Sequence, residues 1–125
     1  MKEVMAVIRI NKMNETKKAL AEAGFPSLTA TGRVQGRGKG VVDFRIIQGA
    51  ADGHEEAISK LSESPQLVPK RLLTLIVHEE KVNLAVKTLI KVNQSGNSGD
   101  GKIFILPIED SYRVRTGERG TVTLD

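Results

Sequence analysis

The stretches PKRLLTLIVHE (69–79) and EKVNLAVKTLIKV (80–92) decide the fold class, because they follow each other directly and differ in periodicity. The first carries apolar residues on both faces, which is typical of a strand that is covered on two sides. The second has apolar residues at helical spacing and acidic residues in its first turn. We therefore predict a strand that leads into an amphipathic helix.

The first half of the chain has the same order. MKEVMAVIRI (1–10) alternates so that both faces are apolar, which again predicts a buried strand. Asn14 is predicted to cap a helix that Gly24 closes. LTATGRVQ (28–35) is rich in β-branched residues, which favours a strand, and IFILPI (103–108) predicts another strand after the second helix.

The resulting order is strand–helix–strand, a long connection, and strand–helix–strand. It predicts an α+β fold of the ferredoxin-like kind, a βαββαβ sandwich in a single domain of residues 1–125. A final short strand is predicted for TVTLD (121–125). The connection, about residues 37–68, exceeds what a compact domain needs and favours a protruding functional loop; an extra hairpin and helix packed on the body is the alternative.

Two helices are enough to cover one face of such a sheet. The other face would leave Met5, Val7 and their neighbours in contact with water. An apolar sheet face of that size indicates self-association, so we expect an oligomer.

Composition narrows the possible functions. The chain has no cysteine, which excludes disulfides, thiolate zinc sites and cysteine nucleophiles. No apolar stretch approaches the roughly 20 residues that cross a bilayer, and the first ten residues lack the features of a signal peptide. We therefore expect a cytoplasmic protein without membrane insertion. The net charge of +4 suits an anionic partner.

Three separate segments combine glycine with basic residues, namely GRGKG (36–40), GNSGDGK (96–102) and RVRTGERG (113–120). Glycine lets backbone N–H groups turn toward a ligand, and arginine or lysine adds charge and directed hydrogen bonds. Any one of the three can be an ordinary turn, and the last can be a plain edge strand. Their combination favours an anion-binding site.

The middle segment satisfies the first seven positions of a Walker A loop, G-x-x-x-x-G-K, from Gly96 to Lys102. Ile103 stands where a magnesium-binding Ser or Thr belongs, and the order is helix to strand, the reverse of a P-loop. The segment is therefore not a Walker A loop. It can still hold phosphate through Lys102 and the amides of residues 99–101.

Two other classes of protein remain as alternatives. A small nucleotide hydrolase or transferase needs a general base, for which Asp100 and Glu118 are candidates without an evident activating partner, and the histidines, His54 and His78, lack a carboxylate pattern. An RNA- or DNA-binding ferredoxin-like domain is permitted by the charge. Aromatics are only 3% of the chain, and the central strand offers aliphatic residues in place of a stacking pair: Leu73, Leu75 and Val77.

The whole chain resembles the PII (GlnB-like) nitrogen-regulatory signal proteins. The resemblance is carried by LAEAGF in the first helix, the GxGKG entry to the long loop, VPK before the third strand, SGNSGDGKIF, and RVRTGE near the end. The last two motifs are the most specific. The segment from about residue 41 to 66 shares little with the family and is longer than usual.

The resemblance implies a trimer with ATP or ADP in the clefts between subunits, 2-oxoglutarate bound beside ATP and Mg²⁺, and control of a target protein by the long loop, with no catalytic residue and no protein ligand to metal. By matching motifs it assigns nucleotide binding to three groups of residues. These are Gly36, Gly38 and Lys39 at the loop entry; Gly96, Gly99, Asp100, Gly101 and Lys102 in the glycine loop; and Arg113 and Arg115 from a neighbouring subunit. Lys70 matches the lysine that grips the oxoglutarate carboxylate.

The chain departs from the family pattern at two points. Gly40 occupies or abuts the position of the glutamine that contacts magnesium and oxoglutarate, and the long loop has no tyrosine to be uridylylated, since Tyr112 is the only one. These features resemble the longer-armed second member of the PII-like pair encoded with nitrogenase. The resemblance then implies a homotrimer, or a mixed trimer or hexamer with a sister protein that supplies the glutamine. Nitrogenase is the expected target, with an ammonium transporter or a biosynthetic enzyme as the alternative.

Overall fold

In a computed structural model of the chain, residues 1–36 and 67–124 are described, and most of the expected loop of about residues 37–68 lies outside them. The described residues form four strands and two helices. They are β1 (Lys2–Ile8), α1 (Met13–Glu22), β2 (Thr29–Gly36), β3 (Val68–Val77), α2 (Val82–Asn93) and β4 (Gly101–Pro107).

The strands form one antiparallel sheet in the order β2-β3-β1-β4. β1 pairs with β3 on one side and with β4 on the other. Ile8, at the end of β1, is therefore opposite both Arg71 and Gly101. The predicted ferredoxin-like βαββαβ fold is confirmed.

One face of the sheet packs against both helices and forms the core. Leu20 from α1 and Leu89 from α2 are almost completely buried against it. The strand residues that point into this core are Val4, Ala6, Ile8, Leu73, Leu75 and Val77. The three aliphatic β3 residues that stand in place of an aromatic stacking pair therefore belong to the core that the helices cover.

The second face of the sheet is also apolar. Met5 is opposite Phe104 on β4, and Val7 is opposite Leu72 on β3. Met5, Val7 and Leu72 are partly exposed, and Phe104 is 48% exposed. The prediction that this face presents apolar side chains is confirmed for a single chain.

The start of α1 differs from the prediction, whereas its end agrees with it. Asn14 does not cap the helix, because a 3₁₀ turn over Ile10–Lys12 leads directly into a helix that begins at Met13. Gly24 ends it as predicted, with φ of 98°. The Gly24 amide bonds to the Ala21 carbonyl at 3.1 Å and the Phe25 amide to the Leu20 carbonyl at 2.8 Å, a Schellman ending.

The predicted terminal strand at TVTLD was wrong. Thr121–Thr123 form a 3₁₀ turn, with the Thr123 amide bonded to the Gly120 carbonyl at 3.1 Å. The Thr123 hydroxyl also donates to the Ser111 hydroxyl at 2.7 Å. These local hydrogen bonds hold the segment against the preceding hairpin, so its β-branched residues do not pair with the sheet.

A buried polar pair joins the two helices. The Asn93 amide donates to the Thr16 hydroxyl at 3.1 Å and to the Leu89 carbonyl at 2.9 Å, and the hydroxyl donates to the Lys12 carbonyl at 2.7 Å. Both partners of Asn93 Nδ2 are acceptors, which fixes the orientation of the amide group. Asn93 Oδ1 is buried without a hydrogen-bond partner among the described residues.

Substitution of this pair should give strongly non-additive stability changes. We expect Thr16→Val alone to destabilise the protein by about 1–3 kcal/mol, because one buried N–H of Asn93 loses its acceptor. The double variant Thr16→Val/Asn93→Leu should recover most of that loss, since it removes the unpaired groups together. Urea denaturation at one protein concentration measures the free energy of unfolding of Thr16→Val, Asn93→Leu and the double variant. A loss in the double variant equal to the sum of the two single losses would contradict the prediction.

Candidate functional site

The glycine loop, residues 94–102, connects α2 to β4, and its last two residues are already the first two of β4. Because Gly101 is opposite Ile8 on β1, and Ile8 is opposite Arg71 on β3, the loop lies beside the end of β1 and the start of β3. Arg9 follows β1 and Lys70 precedes Arg71. The sheet register therefore brings two cations to the glycine loop.

The Asp100 carboxylate holds this loop together from inside. It accepts hydrogen bonds from the Ser95 amide at 2.7 Å, the Gly96 amide at 3.0 Å and the Ser95 hydroxyl, and it forms an ion pair with Arg9. The bonds from Ser95, and then that from Arg9, hold the pKa of Asp100 well below its usual range. Asp100, expected in the nucleotide-binding set, thus uses its carboxylate within the loop.

Arg9 and Lys70 each hold one carbonyl of the loop. Arg9 Nη2 donates to the Ser98 carbonyl at 2.8 Å, and Lys70 Nζ donates to the Gly99 carbonyl at 2.6 Å. In a planar trans peptide the C=O and the following N–H point in opposite directions. The amides of Gly99 and Asp100 are therefore directed away from these two cations.

This arrangement lowers the pKa of the Lys70 side chain. Partial burial, followed by the positive charge of Arg9, lowers the pKa of Lys70, while Asp100 acts in the opposite direction. An anion placed beside both cations would relieve that repulsion. Arg9 did not emerge from the sequence motifs, since its role depends on strand pairing across more than 80 positions.

Gly101 lets the loop enter the sheet. Its φ is 117°, and a Cβ at this position would lie 2.0 Å from the Val7 carbonyl oxygen. Lys102 follows, opposite Val7, and is exposed. A residue with a side chain at Gly101 would push β4 away from β1 and displace Lys102.

A cavity of about 450 Å³ lies between α2 and the start of β4, beside the same loop. Its walls are mainly aliphatic, and its polar residues come from the loop and the end of α2. It is lined by Ile8, Val86, Leu89, Ile90, Asn93, Gln94, Asp100, Gly101, Lys102 and Ile103.

The third basic segment, RVRTGERG (113–120), forms a tight hairpin closed by a bridge between Tyr112 and Arg119. The chain turns at residues 114–116, so the alternative of a plain edge strand through RVRTGE was wrong. Arg113 Nη1 pairs with Glu118 Oε1 at 2.8 Å, and Arg113 Nη2 donates to the Val122 carbonyl at 3.1 Å. Arg115 is exposed at the turn.

The hairpin and the glycine loop lie at opposite ends of β4. β4 has seven residues, which span about 20 Å in an extended strand. The chain then passes Ile108, whose amide bonds to the Met1 carbonyl at 3.2 Å, before it reaches the hairpin. One chain therefore does not bring Arg113 and Arg115 to the end of β4 where Lys102 lies.

The other predicted site residues are placed as follows. Gly36 ends β2, while Gly38, Lys39 and Gly40 lie outside the described residues. The fold brings Lys70 together with the loop residues, which are Gly96, Gly99, Asp100, Gly101 and Lys102.

The carboxylates considered as general bases already serve as hydrogen-bond acceptors. Glu118 accepts from Thr116 and Arg113, and these two contacts lower its pKa, just as the contacts with Ser95 and Arg9 lower the pKa of Asp100. A lowered pKa makes each a weaker base. Residues 1–36 and 67–124 contain no group of three His, Cys, Asp or Glu side chains that could hold a metal ion, and no helix among them is long and apolar enough to cross a membrane.

Comparison with known proteins gives one consistent result. The family model described as nitrogen regulatory protein P-II matches residues 1–118. The chain is 46% identical over 127 residues to "Nitrogen fixation nifHD region glnB-like protein 2" of Methanococcus maripaludis, covering 99% of this chain and 100% of the relative. It is 41% identical over 126 residues to the protein of the same description from Methanothermobacter marburgensis, with the same coverage.

More distant matches agree. The chain is 34% identical to the nitrogen regulatory protein P-II of Rhodospirillum rubrum over 120 residues, covering 96% of both chains. Among solved structures it is similar to Arabidopsis thaliana PII bound to citrate, with a TM-score of 0.70 and 28% identity. That match covers 97% of this chain and 86% of the plant protein.

The close approach at Gly101 predicts a large difference between two glycine substitutions in the same loop. Gly96→Ala should cost about 1 kcal/mol, because Gly96 has φ of 84° but no heavy atom would lie within 4 Å of a Cβ added there. Gly101→Ala should cost at least about 2 kcal/mol more, because its Cβ meets backbone. Urea midpoints of the two variants measure this, and equal losses would show that the contact with Val7 does not matter.

Proposed function

Because the chain belongs to the nitrogen regulatory protein P-II family, we propose that it binds ATP or ADP between the subunits of a trimer and passes the signal to a target protein. Proteins of this family are regulatory signal proteins, and the chain is not an enzyme. The relatives named "glnB-like protein 2" confirm the resemblance to PII and to the second member of the nitrogenase-associated pair.

The proposal of an intersubunit site rests on the distance between the glycine loop and the hairpin, which lie at opposite ends of β4. The glycine loop offers outward amides and Lys102 at one end of β4, and Arg115 is exposed beyond the other end. A triphosphate needs several cations and oriented amides at once. A neighbouring subunit can place its hairpin beside this subunit's loop, so that Lys102 from one chain and Arg113 and Arg115 from the next meet one polyphosphate.

The open apolar sheet face supports a trimer. Met5, Val7 and Phe104 lie on this face together with Leu72, and burying them against other copies would remove a large apolar surface from water. A closed ring of three subunits also repeats the loop-to-hairpin contact identically at each boundary. We place this assembly in the cytoplasm, without a nucleic-acid partner.

We further propose that 2-oxoglutarate binds beside Lys70. Lys70 and Arg9 converge on the carbonyls of Ser98 and Gly99, and a carboxylate is the natural partner of such a pair. The plant PII neighbour is described as bound to citrate, a carboxylate ligand. Gly40 occupies or abuts the position where the resemblance implies a glutamine near magnesium, so a sister subunit in a mixed trimer or hexamer would complete the Mg²⁺–oxoglutarate site.

Nitrogenase is the proposed target. The curated relatives carry the description "nifHD region", which associates them with nitrogen fixation. The loop of about residues 37–68 would make the contact, and filling the nucleotide cleft would favour one loop conformation over another. An ammonium transporter or a biosynthetic enzyme is the alternative target, and co-purification from nitrogen-fixing cells distinguishes them.

Mixing two defective variants tests the intersubunit site. Lys102→Ala and Arg115→Ala each remove an exposed cation, and each should weaken ATP binding about 10- to 100-fold because a charged hydrogen bond to phosphate is lost. After the two variants are unfolded and refolded together, random trimers should regain about one intact cleft in four. Isothermal titration measures the number of high-affinity sites per chain.

Each variant refolded alone is the control and should show no high-affinity site. A mixture that also shows none would mean that both residues act within one chain. Single variants that bind ATP like the wild type would mean that neither residue touches the nucleotide.

The missing glutamine predicts weak oxoglutarate binding by the chain alone. In the presence of Mg-ATP we expect its affinity to be at least about tenfold lower than that of a mixture with the sister protein, because a magnesium partner is absent. Lys70→Ala should abolish binding in the mixture, whereas Lys91→Ala, which removes an exposed lysine of α2, should not. Tight binding by the unmixed chain would rule out the need for a sister subunit.

A further inference from the structure

Glu118 is an acidic side chain bonded to Arg113, an arginine of the predicted phosphate site. Its Oε1 accepts from Arg113 Nη1 at 2.8 Å and from the Thr116 hydroxyl at 2.7 Å. Arg113 Nη2 is held separately by the Val122 carbonyl at 3.1 Å. The guanidinium is therefore fixed between a carboxylate and a carbonyl before any ligand arrives.

The hairpin itself does not depend on the charge of Glu118. The Arg113 amide bonds to the Glu118 carbonyl at 2.8 Å, and the Gly117 amide bonds to the Arg113 carbonyl at 2.7 Å. Gly117 has φ of 76°, which suits the turn. A second ion pair, between Arg119 and Asp110 at 2.8 Å, lies at the base of the hairpin. These contacts remain when the carboxylate is replaced by an amide of the same shape.

We propose that Glu118 is a positioning residue that also limits polyphosphate affinity, because its charge occupies Arg113 until a phosphate oxygen takes over that contact. This inference rests on the proposed nucleotide site and adds a residue to it. A phosphate that reaches Arg113 must approach a fixed negative charge, and the repulsion grows with the charge of the ligand. Glu118 thereby reduces the advantage of ATP over ADP.

The exposure of the Arg113–Glu118 ion pair suits an exchange of the carboxylate for a phosphate oxygen. Side chains of Arg113 and Glu118 are 27% and 44% exposed, so neither is locked in the interior. Ion pairs at this level of exposure contribute little stability, which means that a ligand can replace the carboxylate at low cost. The Val122 carbonyl would keep the guanidinium oriented while the partner on the other nitrogen changes.

Removing only the charge of Glu118 tests the inference. Glu118→Gln should tighten ATP binding about two- to fivefold, the effect expected of one partly exposed charge, and should tighten ADP binding less. The gain should shrink as salt is raised from low to physiological concentration, because screening weakens the repulsion. Isothermal titration of the full-length protein with ATP and with ADP at two salt concentrations measures all four affinities.

Two controls separate this role from a general or structural one. Glu22→Gln makes the same charge change at an exposed position at the end of α1 and should leave both affinities unchanged. In an Arg113→Ala background, Glu118→Gln should lose most of its effect, because without the guanidinium no phosphate oxygen is drawn close to residue 118. Circular dichroism and the urea midpoint report whether each variant keeps the fold.

The outcomes are distinct. Weaker ATP binding by a folded Glu118→Gln protein, unchanged affinity, or an equal gain for ATP and ADP would each overturn the inference and leave the proposed function standing. If the wild-type protein binds neither nucleotide, the proposed function and the inference fall together.

Discussion

The pairing of β1 with two neighbours sets the positions of Arg9, Lys70 and the glycine loop in the candidate site. β1 bonds to β3 on one side and to β4 on the other, and the register places Ile8 opposite both Arg71 and Gly101. A shift of one residue would turn Lys102 from the open face to the helix side, since successive side chains alternate between faces. It would also separate Lys70 from the Gly99 carbonyl. The absence of a side chain at Gly101 is what permits this register.

Charged side chains hold the backbone of the glycine loop through hydrogen bonds. The Asp100 carboxylate accepts hydrogen bonds from the Ser95 and Gly96 amides. Arg9 and Lys70 donate hydrogen bonds to the Ser98 and Gly99 carbonyls, respectively. These polar groups thus have partners within the chain, which a loop rich in glycine needs in order to keep one shape. The amides that follow the two bonded carbonyls are turned the other way. A loop ordered in advance loses less entropy when an anion binds.

The sequence predicts the order of elements, the second apolar face and the glycine loop well, because these depend on local periodicity and on short motifs. It fails where a distant contact decides the outcome. TVTLD has the composition of a strand, yet Gly120 and Ser111 hold it in a turn. Arg9 looks like the charged end of a strand until β4 is placed beside it. The place of Asp100 in the nucleotide-binding set stays a prediction, and its carboxylate accepts hydrogen bonds from the Ser95 and Gly96 amides, which the motif alone does not indicate.

In the single chain, cations at the glycine loop and in the hairpin are already hydrogen-bonded to groups of the same chain. Lys70 is bonded to the Gly99 carbonyl, and Arg113 is bonded to Glu118. A ligand that binds either cation exchanges one set of contacts for another, so its affinity reflects a difference between two bonded states. Lys70 belongs to β3, and Gly99 belongs to the glycine loop. A ligand that breaks the Lys70–Gly99 bond removes a contact that the two segments share. Where a ligand on one segment thereby alters binding at the other, linkage makes the effect the same in both directions.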